Sequence, residues 1–109
     1  MEVELLWWAG CPSWPQARVL LREQMEAAGL DPDTVVEREM LVDGEAERER
    51  FYGSPTIRVN GRDIADPGPN PIGLTCRVYR LRDGRISALP DPADIADALR
   101  AATEGGQRR

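Results

Sequence analysis

The feature that most constrains the fold is an apolar run that leads, through Gly10-Cys11-Pro12, directly into a helical pattern. Residues 3–8 are apolar apart from Glu4, which is typical of a β-strand buried on both faces. Over residues 13–28, apolar side chains recur at steps of three and four and form one helix stripe. Cys11 falls between the two elements, where unpaired N–H groups and the positive end of the helix dipole favour a thiolate. This position makes Cys11 the candidate nucleophile, with a buried and inert cysteine as the alternative.

The next patterns predict a mixed sheet flanked by helices. In chain order, we expect a strand over residues 34–42, a short helix over 43–52 with Asp43 as its N-cap, and strands over 56–60 and 62–64. Asn60-Gly61 is a strong signal for a two-residue hairpin turn between the last two strands. A strand–helix–strand unit implies a parallel pair with a right-handed crossover, so the sequence predicts an α/β fold.

The second half of the chain departs from regular patterning. Residues 65–75 contain three prolines and two glycines, which predicts an irregular inserted loop. Strands are expected over residues 76–81 and 86–89, followed by a helix that begins at Asp91 or Asp94. We therefore predict one domain over residues 1–104 and a polar, disordered tail over residues 105–109.

Composition excludes several classes of function. A net charge of −5 argues against nucleic acid as a partner, and the absence of histidine removes the commonest general base and metal ligand. Two cysteines cannot build a four-thiolate zinc site, and no cofactor is expected. No apolar stretch approaches the roughly 20 residues that cross a bilayer, and the acidic amino terminus is unlike a secretory signal. These features predict a cytoplasmic protein with no membrane partner.

Cys76 is the only possible second thiol of a redox pair. If the preceding loop folds over the edge of the sheet that carries Cys11, Cys76 is positioned to resolve a mixed disulfide. The alternative is a small apolar residue in a strand. Asp63 and Asp66 fall near the same edge, where they either move protons or cap turns. A run of arginines near Cys76 either lowers the pKa of its thiol, binds an anion or forms a solvated face. Its members are Arg77, Arg80, Arg82 and Arg85.

Three short motifs together resemble the thioredoxin-like superfamily. They are Gly-Cys-Pro-x-Trp at residues 10–14, Gly-Ser-Pro-Thr at 53–56 and Cys-Arg-x-Tyr at 76–79. The pattern is similar to small bacterial thioredoxin-domain proteins that are often labelled organomercurial (alkylmercury) lyase-like. The resemblance implies a cis peptide bond before Pro55, with Ser54 and Thr56 beside a substrate groove. Pro12 and Trp14 would line the thiol side, although Trp14 is equally suited to anchoring the core.

Three hypotheses of function follow from the residues and the resemblance. In the first, the protein is a thiol–disulfide oxidoreductase that acts on protein or small-molecule substrates, in which Cys11 attacks and Cys76 resolves. In the second, it handles mercury: Cys11 and Cys76 bind Hg(II) or cleave an organomercurial, and Asp63 or Asp66 supplies the proton. In the third, it is a non-catalytic binding module. Trp14 stands where thioredoxins have their second cysteine, so a dithiol within one helical turn is excluded.

Overall fold

The computed structural model describes the backbone of residues 1–107 and the side chains of residues 1–104. The elements, in chain order, are β1 (Val3–Trp7), α1 (Trp14–Ala27), β2 (Val36–Glu39), α2 (Asp43–Glu49), β3 (Thr56–Val59), β4 (Arg62–Asp63), β5 (Tyr79–Arg80), β6 (Ile86–Ser87) and α3 (Pro92–Gln107). A 3₁₀ turn, Pro32–Thr34, lies between α1 and β2. None of the described helices is long and apolar enough to span a bilayer.

The first four strands form one mixed sheet in the order β2-β1-β3-β4. β1 and β2 are parallel, with Leu5 opposite Glu37, and α1 connects them. β3 runs antiparallel to β1, with Ile57 opposite Leu5. Asn60 and Gly61 then turn the chain into β4, and both have the positive φ that this hairpin turn requires. The predicted α/β fold, a mixed sheet flanked by helices, is confirmed.

Alternation along β1 gives each face of the sheet its own core. Leu5 and Trp7 pack in one cluster with the buried stripes of α1 and α3. Leu6 and Trp8 belong to a second cluster on the opposite face, together with Met40, Ala46 and Phe51 around α2. Cys11 follows β1 directly, so it emerges at the edge of the sheet between the two cores.

The polar residue of β1, Glu4, is held by an ionic network on the second face. Its carboxylate lies 3.1 Å from the guanidinium of Arg38, which also pairs with Glu49 at 2.8 Å. Arg58 binds the other Glu49 oxygen at 3.2 Å. The hydrogen bond from Arg38 holds the pKa of Glu49 below its usual value, so the network ties α2 to three strands at neutral pH.

Several element boundaries differ from the sequence prediction. The strand expected over residues 34–42 is confined to Val36–Glu39, because Pro32–Thr34 forms the 3₁₀ turn. Asp43 is the first residue of α2 and not its N-cap, which is Val42; the free N–H of Leu41 is bound by the Glu45 carboxylate instead. α2 ends at Glu49 because Arg50 adopts a left-handed conformation.

The carboxyl-terminal helix starts where the sequence predicts and extends further than expected. The Asp91 carboxylate accepts the N–H of Ala93 at 2.9 Å, which caps the start of α3. The helix continues through Gly105 and Gly106 to Gln107, into the segment expected to be a disordered tail. Arg108 and Arg109 lie outside the described residues.

Residues 65–75 are irregular, as predicted, and the chain after them forms a small second sheet. β5 and β6 pair antiparallel, with Tyr79 opposite Ser87. The strand predicted from residue 76 is reduced to Tyr79–Arg80, but its alternation persists, since Arg77 and Tyr79 point inward while Cys76 and Val78 are exposed. Cys76 itself makes an isolated parallel bridge with Ser54.

Candidate thiol site

Cys11 lies in a tight turn between β1 and α1, as the sequence predicts. Its N–H donates to the carbonyl of Trp8 at 3.0 Å, and only 1% of the residue is exposed. The turn needs glycine at position 10, because a Cβ there would come within 2.4 Å of the indole ring of Trp8. Pro12 is exposed beside the thiol, while Trp14 is half-buried and stacks on Trp7 at 3.9 Å. The sulfur is therefore fixed but hidden.

Polar groups surround the Cys11 sulfur although water does not reach it. The Ser13 hydroxyl lies 3.1 Å from Sγ and makes no capping hydrogen bond to α1. The Ser54 hydroxyl accepts the N–H of Trp8 at 3.0 Å, which leaves its own proton for the sulfur. Burial raises the pKa of Cys11, but hydrogen bonds from Ser13, Ser54 and Cys76 outweigh it, and the net pKa is below its ordinary value. The surroundings of the sulfur therefore lower the pKa of Cys11.

Cys76 lies near Cys11, and the pKa values of the two thiols shift in opposite directions. Ser54 links the two residues, because the Cys11 thiol donates to its carbonyl at 3.3 Å and Cys76 forms a β-bridge with it. The proximity of the two thiols lowers the pKa of Cys11 and raises that of Cys76. Partial burial is the larger cause of the raised pKa of Cys76, followed by the charge of Cys11. Cys76 is nevertheless exposed, whereas Cys11 is not. The loop thus brings the two predicted thiols near each other, one covered and with a lowered pKa, the other accessible and with a raised pKa.

The peptide bond between Ser54 and Pro55 is cis, as predicted, but no open groove lies beside it. The N–H of Ser54 donates to Thr75 at 2.8 Å, and its carbonyl accepts the N–H of Arg77 at 2.9 Å. Ser54 and Thr56 are completely buried. The expectation that these residues flank a free substrate groove is not met in this arrangement, because residues 75–77 of the same chain occupy that position.

Arg77 is completely buried, which corrects its interpretation as part of a solvated face. Its guanidinium binds the Asp63 carboxylate at 2.6 Å, the Thr56 hydroxyl at 3.2 Å and the Ala65 carbonyl at 3.1 Å. It also lies over the ring of Tyr79, 4.6 Å from its centroid. Arg82 and Arg85, by contrast, are exposed and paired with surface aspartates. Arg77 therefore anchors the segment that carries Cys76.

Tyr79 completes that anchor, and sequence reasoning gave it no role beyond its place in a motif. Its hydroxyl donates to the Pro55 carbonyl at 2.5 Å, and burial raises the pKa of the phenol. The inward alternation of Arg77 and Tyr79 after Cys76 was the signal that could have identified both. Ser13 was also missed, although its position two residues after Cys11 could have indicated a partner for the sulfur.

The two candidate proton donors have different environments. Asp63 is bound by Arg77 at one oxygen and by the N–H of Ala65 at the other, at 3.1 Å. Asp66 is exposed, accepts the N–H of Gly68 at 2.8 Å and lines the same cavity as Cys76. Only Asp66 therefore shares solvent-accessible space with a thiol. Within the described part of the chain, no three cysteine and acidic side chains are grouped as a metal-ligand set.

No protein-family model matches the chain, and neither a curated protein nor a solved structure matches it.

Proposed function

We propose that the protein is a thiol–disulfide oxidoreductase with a thioredoxin-like arrangement, in which Cys11 and Cys76 are the two redox sulfurs. The observation that carries the proposal is the position of both thiols beside Ser54, whose carbonyl lies 3.3 Å from the Cys11 sulfur and which forms a β-bridge with Cys76. In this arrangement the pKa of Cys11 is lowered and that of Cys76 is raised. A thiolate beside a protonated thiol is the reduced state that such a couple needs, because disulfide exchange proceeds through a thiolate.

The sheet supports the thioredoxin-like part of the proposal. A parallel β1–α1–β2 unit, an antiparallel β3–β4 hairpin and the strand order β2-β1-β3-β4 suit that fold. Cys11 stands before α1 and its sulfur lies 3.3 Å from the carbonyl of Ser54, the residue before Pro55. A reducing cytoplasm, which the sequence predicts, would keep the pair in its dithiol form between turnovers.

The burial of Cys11 favours an order of steps that differs from the sequence expectation. Cys11 is 1% exposed, so a substrate disulfide meets Cys76 first. Cys76 passes its proton to the Cys11 thiolate and attacks the substrate R–S–S–R, which forms Cys76–S–S–R and releases RS⁻. That anion takes the proton from Cys11, and the regenerated thiolate attacks the Cys76 sulfur. The products are the Cys11–Cys76 disulfide, one RSH and one RS⁻, so the protein is oxidised by two electrons and the substrate is reduced.

Oxidation of the wild-type protein tests the proposal. Incubation with diamide, followed by alkylation and peptide mass spectrometry, should give an intramolecular Cys11–Cys76 bond and a monomer on non-reducing electrophoresis. Cys11→Ser and Cys76→Ser should each give only mixed or intermolecular disulfides. The bond closes a loop of roughly 65 residues, for which chain entropy predicts about 4 kcal/mol of added stability in urea. A wild-type protein that keeps both thiols, or forms only dimers, would contradict the proposal.

A second candidate function is the binding of a thiophilic metal such as Hg(II), which the position of two thiols beside Ser54 favours. For organomercurial cleavage, the proton would come from Asp66 rather than Asp63, since Arg77 holds the Asp63 carboxylate. Addition of HgCl₂ should then produce a thiolate-to-metal absorption that saturates at one ion per chain and disappears in Cys76→Ser. Saturation at two ions per chain would show independent thiols and rule out a shared site.

A further inference from the structure

The exposed side of Cys76 opens into a cavity that the exchange chemistry alone does not explain. The cavity has a volume of about 560 Å³ and lies between the Pro/Gly-rich loop and the outward face of the Cys76 segment. Its apolar walls include Pro67, Pro69, Val78 and Ile86. This volume is within the range of small-molecule sites.

The walls of the cavity are fixed rather than loosely apposed. The Asn70 side chain accepts the N–H of Val78 at 2.9 Å and donates to its carbonyl at 2.9 Å. This double hydrogen bond ties the loop to the Cys76 segment. The Asp66 carboxylate closes the turn at Gly68. The loop and the thiol are therefore held at a constant separation.

The backbone of the residue before the cis proline is not free to pair with an extended polypeptide. The N–H and the carbonyl of Ser54 are both occupied by the segment around Cys76. A substrate must therefore approach Cys76 from the cavity side, where side chains supply the contacts. This arrangement favours a small molecule over a protein disulfide.

Two oppositely charged residues line this space, and each bonds only within its own segment: Arg80 donates to the Gly84 carbonyl at 3.4 Å, and Asp66 accepts the N–H of Gly68 at 2.8 Å. Arg80 lines the cavity, and no carboxylate among the side chains of residues 1–104 forms an ion pair with it. Asp66 lines the opposing loop and has no ion-pair partner within the same residues. One unpaired cation and one unpaired anion in an apolar cavity complement a ligand that carries both charges.

We propose that this cavity binds a small disulfide of the amino-acid type and presents its sulfur to Cys76. The carboxylate of the ligand faces Arg80 and its ammonium group faces Asp66. The inference rests on the proposed function and adds a substrate class to it.

Mixed-disulfide formation in Cys11→Ser, whose only thiol is Cys76, tests this substrate class. The probes are cystine (zwitterionic), cystamine (dicationic), 3,3′-dithiodipropionate (dianionic), hydroxyethyl disulfide (neutral) and insulin (a protein disulfide). Each rate is measured by mass spectrometry. It is divided by the rate at which the same disulfide reacts with a synthetic peptide of residues 74–78, which contains Cys76 without the cavity. This division removes differences in the intrinsic reactivity of the disulfides and leaves the contribution of the cavity.

We expect the normalised rate to be highest for cystine. Arg80→Gln should lower the normalised rate about 3- to 10-fold, and only for the two probes that carry a carboxylate, cystine and 3,3′-dithiodipropionate. A loss of this size is expected for one charge contact that is partly exposed to solvent. Asp66→Asn should lower the normalised rate by a similar factor, and only for the two probes that carry an ammonium group, cystine and cystamine. Asparagine keeps an oxygen that can accept the N–H of Gly68. Equal normalised rates for all probes, or a higher one for insulin, the dication or the dianion, overturn the inference.

The two proposals fail separately. If the wild-type protein forms the Cys11–Cys76 bond but shows no preference among the probes, the redox function stands and the substrate class is wrong. If the bond does not form while cystine is preferred at Cys76, the cavity binds its ligand and the dithiol cycle is wrong.

Discussion

Replacing Asp63 with asparagine is expected to destabilise the fold by about 3 kcal/mol. The Arg77 guanidinium is completely buried, and Asp63 is its only carboxylate partner among the described residues. Its other hydrogen-bond acceptors, Thr56 and Ala65, are neutral. Removing one partner of a buried ion pair typically costs about 3–5 kcal/mol. The Asp63 side chain is 20% exposed and asparagine retains an acceptor oxygen, so the lower end of that range applies.

The change is measured by urea unfolding under reducing conditions, followed by tryptophan fluorescence. A loss of about 3 kcal/mol is a large share of the roughly 5–15 kcal/mol that stabilises a domain. It corresponds to a fall in Tm of about 12–24 °C for a chain near this size. Asp66→Asn is the matched control, because its carboxylate is exposed and only caps a turn; it should change stability by less than about 0.5 kcal/mol.

A second substitution distinguishes loss of the ion pair from nonspecific destabilisation of the fold. Asp63→Asn combined with Arg77→Met should recover part of the lost stability, since the buried charge is then absent. Equal stability of Asp63→Asn and Asp66→Asn, or a double variant no more stable than Asp63→Asn alone, would refute the argument from burial.

Three further predictions concern the thiols and the turn that faces them. Ser13→Ala in a Cys76→Ser background should raise the pKa of Cys11 by about one unit, read from ultraviolet thiolate absorbance; an unchanged midpoint would show that the hydroxyl gives no support. In the Cys76→Ser variant, the lowered pKa of Cys11 also stabilises the fold. This contribution is complete above the pKa of an ordinary thiol and is lost as the pH falls through the pKa of Cys11 in the folded protein. The free energy of unfolding relative to Cys11→Ser should therefore rise towards alkaline pH, and a flat difference contradicts this. Gly53→Ala should cost about 2 kcal/mol more than Gly84→Ala in urea, since both have positive φ but only the Gly53 Cβ meets a backbone nitrogen, at 3.0 Å; equal costs would refute the packing argument.

Local patterns predicted the amino-terminal half of the fold well. The β1–Cys11–α1 junction and the Asn60-Gly61 hairpin were read correctly because their signals lie within a few consecutive residues. The N-cap of α2 was wrong by one residue, because the Val42 carbonyl already accepts the N–H groups of Glu45 and Ala46, at 3.1 and 3.2 Å. A local pattern does not fix a helix end to the exact residue.

The sequence proposed members for the candidate site but did not contain their arrangement. The sequence identified Cys11, Cys76 and Pro55, yet it left Ser54 facing a groove that residues 75–77 fill. Arg77 was misread because its partners come from positions 12 to 21 residues away along the chain. No local window brings those groups together, so the burial of a charged residue could not be read from its own segment.

The irregular loop is tethered at its ends and its centre. Arg77 holds its start at Ala65, the Asn70 side chain holds its middle, and the hydrogen bond between Ser54 and Thr75 holds its end. The N–H of Gly73 adds a fourth tether to the Phe51 carbonyl at 3.0 Å. We therefore expect exchanges of the side chains between these tethers to leave both sulfurs in place. Under the proposed function, such exchanges would change the ligand without changing the redox pair.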